Sequence, residues 1–436
     1  MTLSRRQLVA GLGAGMARGI PSPGHGLADP APVAAPAGRD PADTARDERF
    51  WGAVARQYRV SADFINLENG YYGITSEPVR QAYLRNADRL NRLNSHLLRT
   101  TYKNELEQIR GRLATIAGVA AGEIAFTRGG TEALQNLIAG YNRLRPGDAV
   151  MYADLDYYSC QYAMNWLRDR RGVQIVRIAI PEPPTRQNVL ETYSRALRDH
   201  SRVRLLLLTH MNNRTGLVVP VREIVTMARA RGVDVIVDAA HSWGQLDFTV
   251  PDLGADFAGF TLHKWINAPL GTGFLYIRKN RLKDIDSTFG DQTYAADDIR
   301  SRVHSGTLDA ATFLTVPTAL DCHQALGTSV MEARLRYLRD RWVGKVRDID
   351  NIEILTPDDP SMYGGMTSFR ISGRTSHADN DAIVGHLLNS HRIFTVRREG
   401  PVGGDCVRIT PAQFTMAEQI DRLVAGLRDV ARGFRA

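Results

Sequence analysis

Between residues 124 and 278 short apolar runs alternate with longer stretches in which apolar residues recur every three or four positions. The short runs, at 124–126, 149–153, 174–180, 203–209, 233–238, 257–262 and 273–278, predict strands. The stretches at 131–142, 161–170, 187–199 and 221–231 predict amphipathic helices between several of them. Such alternation implies an α/β fold: a mainly parallel seven-stranded sheet with flanking helices, which places ligands at the carboxyl ends of its strands. Beyond about residue 308 the texture changes. Residues 310–326 and 331–349 read as helices, 365–371, 394–398 and 406–410 as short strands, and 416–430 as a last amphipathic helix, so a second, smaller α+β domain is expected. There is no internal repeat. The expected division is 1–35 a signal peptide, 36–75 a linker and N-terminal segment, 76–310 the large domain and 311–436 the small one.

Composition narrows the class. With 43% hydrophobic and 23% charged residues, neither wholesale disorder nor an integral membrane protein fits, and no apolar run approaches the roughly 18 residues of a spanning helix. The net charge of +8 comes from arginines dispersed beside acids, as in Arg336-Tyr337-Leu338-Arg339-Asp340-Arg341. That is a solvated surface, so no nucleic-acid partner is expected. Cys160, Cys322 and Cys406 are an odd, scattered set, which argues against a disulfide framework and against a CxxC metal site; no metal is expected.

The first 35 residues stand apart. Ser4-Arg5-Arg6-Gln7-Leu8 is a twin-arginine pattern before a weakly hydrophobic stretch, 9–17, that is too short to span a bilayer and is followed by Arg18. Small-residue cleavage candidates lie at 26–28 and 33–35. The expectation is export by the Tat machinery to the periplasm, with the mature chain beginning between 29 and 47. Gly11-Leu12-Gly13-Ala14-Gly15 has no preceding strand and no third glycine in place, so it is not a dinucleotide turn.

Three strand ends carry candidate chemistry. Val235-Ile236-Val237-Asp238 ends in a carboxylate that needs a positive partner, although a helix cap or structural ion pair would satisfy the same pattern. Phe260-Thr261-Leu262-His263-Lys264 ends in a lysine whose pKa should fall on burial. It is either a snorkelling surface lysine or an amine able to form a Schiff base with an aldehyde. Phe126-Thr127-Arg128-Gly129-Gly130-Thr131-Glu132 is a strand, a glycine turn and a helix start, which is a phosphate cradle in outline or a plain N-capped turn. Taken together, the three match the needs of pyridoxal 5′-phosphate (PLP). Asp238 would hold the pyridine nitrogen protonated, Lys264 would carry the aldehyde, and Gly130 and Thr131 would hold the phosphate.

With these residues the chain resembles the class V aminotransferase family of fold-type I PLP enzymes, and within it the isopenicillin N epimerase-like branch. The resemblance runs from Phe64 to Val430 through 66–73, 127–133, 156–158, 212–216, Asp238-Ala239-Ala240-His241-Ser242-Trp243-Gly244, His263-Lys264, Ser305-Gly306-Thr307 and 407–410. It implies that Tyr157 stacks on the cofactor, that His241 and Asn213 lie near its phenolic oxygen, and that Thr261 and His263 contact the phosphate. It also implies that Thr307, in the Ser305–Thr307 loop, completes the phosphate site of the other subunit of a homodimer. Arg408 is expected to grip the substrate carboxylate and Asn69 to contact substrate. Lys264, Asp238 and Tyr157 are the expected catalytic residues.

The chain departs from cysteine desulfurases, which this resemblance endows with a mobile cysteine ahead of the C-terminal arginine. Residues 396–405 contain none, and Cys406 falls inside a predicted strand. The export signal and the phrases 66–73, 240–244 and 263–271 resemble the periplasmic, pyoverdine-tailoring members of the family. The expected activity is therefore at Cα of an amino-acid moiety, with Lys264 as acid and base after loss of H⁺ or CO₂, on the glutamyl side chain of a pyoverdine-like peptide siderophore. An epimerase, an aminotransferase, a C–S lyase or a non-catalytic binding protein on the same scaffold are the alternatives.

Overall fold

The computed structural model describes residues 31–304 and 306–434. The twin-arginine segment and the first cleavage candidate lie outside these residues, as does Ser305. In chain order the strands are β1 (Ile65–Asn66), β2 (Ile124–Thr127), β3 (Ala149–Ala153), β4 (Gln174–Ile178), β5 (Val203–Thr209), β6 (Asp234–Asp238), β7 (Phe257–Thr261), β8 (Gly273–Ile277), β9 (Ile352–Ile354), β10 (Thr367–Ile371), β11 (Ile393–Phe394), β12 (Val396–Arg398) and β13 (Cys406–Ile409).

All seven strands expected before residue 280 form, and they make one sheet in the order β2-β8-β7-β6-β5-β3-β4. The pairs β3–β4, β3–β5, β5–β6 and β6–β7 are parallel, whereas β8 runs antiparallel to both β2 and β7. The reversal has a simple cause: β7 returns to β8 through the loop 262–272, and only antiparallel strands can be joined without a crossover helix. That loop carries His263 and Lys264. Both faces of the sheet are covered, as β5 shows residue by residue. Leu206 and Leu208 join one core with Ile224 and Val225, while Leu205 and Leu207 join another with Leu134 and Leu137, all of them buried.

The C-terminal part forms an antiparallel sheet, β12-β13-β10-β9, backed by a core that includes Trp342, Phe369 and Leu427. The run expected as one strand over 394–398 divides at Thr395. Its first half, β11, pairs in parallel with β1, and its second half, β12, pairs with β13. Arg408 thereby sits beside Val396 on one side and Ser368 on the other.

Two regions differ from expectation. Residues 36–75 are more than a linker: Pro41–Ala45 and Glu48–Ala55 are helices, and Trp51 is fully buried with its Nε1 donating to Thr44 O at 2.8 Å. The buried Arg334 guanidinium ties them down by donating to Ala45 O (2.8 Å) and to Glu48. Residues 77–117, which the hydrophobic pattern left unassigned, form the helices Glu77–Thr100 and Tyr102–Ala117, braced by a two-point Arg89–Glu105 pair at 2.8 Å. No described helix is long and apolar enough to cross a membrane.

Candidate active site

Lys264, Asp238, His241, Thr261 and Tyr157, at the carboxyl ends of the parallel strands, and Arg408, from β13, converge on one cavity of about 990 Å³. Gly130, Thr131, Asn213 and His263 line it as well. Ten of the positions expected from the sequence are thus brought together.

Lys264 lies just beyond β7. Of the five lysines in the chain, the other four are exposed. Lys264 is half-buried in the cavity wall, and loss of hydration lowers its pKa to about 8; Arg408 and Arg398 push in the same direction, while Asp238 and Glu68 partly oppose them. A sizeable neutral fraction at pH 7–8 follows. Its Nζ lies 2.8 Å from His241 Nε2. Burial, reinforced by the positive charge of Lys264, holds the His241 pKa well below the usual imidazole range, so the ring is neutral and its Nε2 accepts from the amine. The ring proton then resides on Nδ1, a buried group with no hydrogen-bond partner.

Asp238 closes β6. Its Oδ1 accepts from Ala240 N at 2.9 Å, and burial raises its pKa against the counteracting Ala240 bond and Lys264 charge. A carboxylate in this position gains from a cationic N–H brought into the cavity. Beneath it, Asp156 is held by Ala153 N (2.7 Å) and by the Thr209 hydroxyl (2.6 Å), and burial moves its pKa up to about 7. Asp156 joins the ends of β3 and β5, a positioning role that strand patterning alone did not reveal.

At the glycine turn, Gly130 N donates to Thr261 Oγ1 at 3.1 Å. A Cβ on Gly130 would stand 2.8 Å from that oxygen and 3.1 Å from Ala240 Cβ, so only glycine lets the helix Gly130–Gly140 begin this close to β7. Its free N-terminal N–H groups offer partial positive charge to an anion. His263 Nδ1 is 3.0 Å from Thr272 O, which fixes the ring beside Gly129. Burial, helped by Lys264, brings the His263 pKa to about 4 and keeps the ring neutral.

The far wall is built on β13 and β12. Arg408 is fully buried, donates through Nη1 to Asn213 O, and gives Nη2 to both oxygens of Glu68, at 2.6 and 2.8 Å. Arg398 also faces the cavity and stands 3.5 Å from Glu68 Oε1, its pKa lowered to about 10 first by burial and then by Arg408. Asn213 Oδ1, Arg398 Nε and Arg408 Nε are buried without partners. Neither Glu68 nor Arg398 was singled out as a functional residue from the sequence. Glu68 lies inside the Asn66–Gly73 phrase, but only the fold brings it to an arginine 340 positions away.

One expectation is displaced. The Asn69 side chain does not line the cavity: its Nδ2 donates to Thr410 O (2.9 Å) and Asn66 O (3.2 Å), and its Oδ1 accepts from Asn66 Nδ2 (3.1 Å). Asn69 therefore fastens its loop to β13, and Gly70 takes its place on the wall, where a Cβ would meet Arg408 Nη2 at 2.5 Å. Thr307 is exposed and is not among the residues lining this chain's cavity. Cys406 is packed, its thiol pKa raised to about 11 by burial, and no described cysteine lines the cavity.

The residues fit PLP by their own chemistry: a half-buried amine of lowered pKa, a buried acid facing the same space, an unpartnered Nδ1–H on His241, and a helix start where a side chain would clash.

A sequence profile of the family described as Aminotransferase class-V matches residues 76–423. The isopenicillin N epimerase of Streptomyces clavuligerus is 30% identical over 338 residues, covering 74% of this chain and 83% of that protein. A probable cysteine desulfurase of Methanothermobacter thermautotrophicus is 29% identical over 298 residues, covering 65% and 70%. Among solved structures, the apo cysteine desulfurase of Thermococcus onnurineus NA1 superimposes with a TM-score of 0.74 at 19% identity, over 88% of this chain and 98% of that one. A variant of C-DES with glycine covalently linked to its PLP cofactor gives 0.74 at 23% identity, over 86% and 98%. The fold is that of fold-type I PLP transferases.

Proposed function

The chain belongs to the class V aminotransferase family, and from that premise we propose that it is a PLP-dependent enzyme acting at Cα of an amino-acid moiety, the glutamyl end of a pyoverdine-like peptide siderophore in the periplasm. The observation that carries the proposal is the convergence of Lys264, Asp238 and the Gly129–Gly130 turn on one cavity.

PLP bound there supplies an aldehyde that captures an amine and a ring that draws in the electron pair left at Cα. The chain's own residues do the rest. Asp238 would hold a proton on the ring nitrogen. The helix start at Gly130, with Thr131 and Thr261, would receive the phosphate, and Tyr157 on the cavity wall would contact the ring. Lys264, about half neutral at pH 8, would take or return the Cα proton. Arg408 receives the substrate carboxylate, which must displace Glu68 or share the guanidinium with it.

Two features favour a large, acidic substrate. Arg398 and Arg408 face the cavity with Glu68 between them, leaving one positive charge uncompensated. The rim carries the exposed aromatics Tyr71, Tyr158, Tyr162 and Trp166, surface suited to the body of a siderophore or to a second subunit. In the homodimer proposed here, the exposed Thr307 loop completes the partner's phosphate site. The lack of a cysteine on the cavity wall disfavours desulfurase chemistry.

The test is turnover of a pyoverdine precursor against free amino acids by the PLP-loaded enzyme. Product altered at the glutamyl Cα, with oxygen consumed and CO₂ released or with a keto-acid acceptor required, supports the proposal and distinguishes its two chemistries. Conversion of free amino acids alone contradicts the siderophore assignment, and racemised product marks an epimerase.

A further inference from the structure

Away from the cavity, the helix His377–His391 and the last helix, Ala417–Gly433, meet through three side chains that the proposed reaction does not use. His386 Nε2 and His391 Nε2 approach the same oxygen, Asp429 Oδ2, at 2.8 and 3.0 Å. The three donor atoms lie within 4.8 Å of one another, and no other group of His, Cys, Asp and Glu side chains among the described residues converges in this way. None of the three lines the active-site cavity.

Helical periodicity does not account for the convergence. Residues five apart lie about 140° around an α-helix and normally face different ways. Here His391 is the last helical residue, and the chain turns at Arg392 with φ 55°. Asp429, contributed by a different helix, is the point on which both rings meet.

One carboxylate oxygen can accept from two imidazoles only when both Nε2 atoms carry protons. A divalent cation that takes the place of those protons finds two imidazole nitrogens and a carboxylate oxygen, the donor set of three-ligand zinc sites with a fourth position open. The side chains are 31%, 23% and 37% exposed for His386, His391 and Asp429, so an ion and a water reach them from solvent. Supporting contacts orient the ligands. Arg432 Nη2 lies 3.5 Å from Asp429 Oδ1, the oxygen facing away from the imidazoles, and Ser390 Oγ lies 3.5 Å from His386 Nδ1. The Phe434 ring packs edge-on against His386.

We propose that His386, His391 and Asp429 form a divalent transition-metal site, with Zn²⁺ the ion that fits best, pinning the helix His377–His391 to the C-terminal helix. The ion would join two helices, and because it binds the folded state alone, stability rises with the logarithm of free metal once that exceeds Kd.

The experiment uses untagged, PLP-loaded protein stripped with a chelator and titrated with ZnCl₂ by calorimetry at about pH 7.5. One equivalent should bind, the melting temperature should rise on loading, and Co²⁺ in its place should give visible d–d absorption. His386→Gln, His391→Gln and Asp429→Asn should each weaken Zn²⁺ binding by at least about tenfold and abolish the Co²⁺ bands. An unchanged PLP absorbance would confirm that each variant is folded. Failure of the parent to bind Zn²⁺, or equal affinity in all three variants, would overturn the proposal and leave a proton-bridged surface network.

Discussion

At the scale of single residues, the site turns on charge in an enclosed space. Lys264 is held near pKa 8 by lost hydration, and the carboxylate of Glu68 is one of two groups that keep it from falling further. Only the neutral amine attacks an aldehyde, so the rate at which stripped protein takes up PLP should rise with pH to a plateau, with a midpoint near 8. Glu68→Gln removes a charge that raises the lysine pKa, so its midpoint should move to lower pH; stopped-flow absorbance across a pH series measures both. The same substitution frees Arg408 from its two-point partner. KM for a carboxylate-bearing substrate should fall, by about tenfold if one charge-assisted contact is released, whereas Arg408→Ala should raise it by about as much or more. An unchanged KM in both variants would show that the carboxylate binds elsewhere, with Arg398 the next candidate. Asp238, Lys264 and the glycine pair were legible because each breaks a local rule: a charge ends an apolar strand, or two glycines open a helix. Glu68 breaks no such rule. An acid in a polar loop looks ordinary until the fold places it on Arg408.

At the scale of elements, the glycine turn is the sharpest constraint. Gly130→Ala would press a methyl group against Thr261 Oγ1 and Ala240, shifting the start of the helix Gly130–Gly140 away from β7. PLP affinity, read by equilibrium dialysis, should drop by about tenfold or more, with the fold retained by circular dichroism. Patterning found the strands because the sheet is buried on both faces and its runs are nearly uninterrupted. It passed over Glu77–Thr100, a 24-residue helical run broken by a kink at Asn94, whose buried residues are confined to Pro78, Val79, Ala82 and Leu97. Such a helix has little apolar face to detect; it is held instead by polar contacts such as Arg89–Glu105 and Asn86–Thr315. His377–His391 escaped for a related reason, since only Asn380, Ile383 and Leu387 are buried along it.

For the whole molecule, the contacts of residues 31–35 bear on the proposed removal of an N-terminal signal. Val33 and Ala35 pack against the cluster of Trp51, Val54, Leu326, Val330 and Met331, Ala35 N donates to Ala325 O at 2.8 Å, and Gln57 Nε2 donates to Ala31 O at 2.7 Å. Cleavage at the 33–35 candidate would discard these contacts, whereas cleavage at 26–28 keeps them. If the proposed export and cleavage take place, N-terminal sequencing of the exported protein should therefore give a start at or before residue 31; independently, a chain beginning at 36 should melt at a lower temperature than one beginning at 29. The seven strands and the placement of the cavity at their carboxyl ends followed from the alternation of elements; their order in the sheet did not. The division of 394–398 between two sheets did not, because it depends on β1, a two-residue strand from the far end of the chain. The most direct test of the central claim is to reduce the PLP-loaded enzyme with borohydride, digest it and map the modified peptide by mass spectrometry. A phosphopyridoxyl group on Lys264 and on none of the other four lysines is the result expected; a modification at another lysine, or none at all, would contradict it.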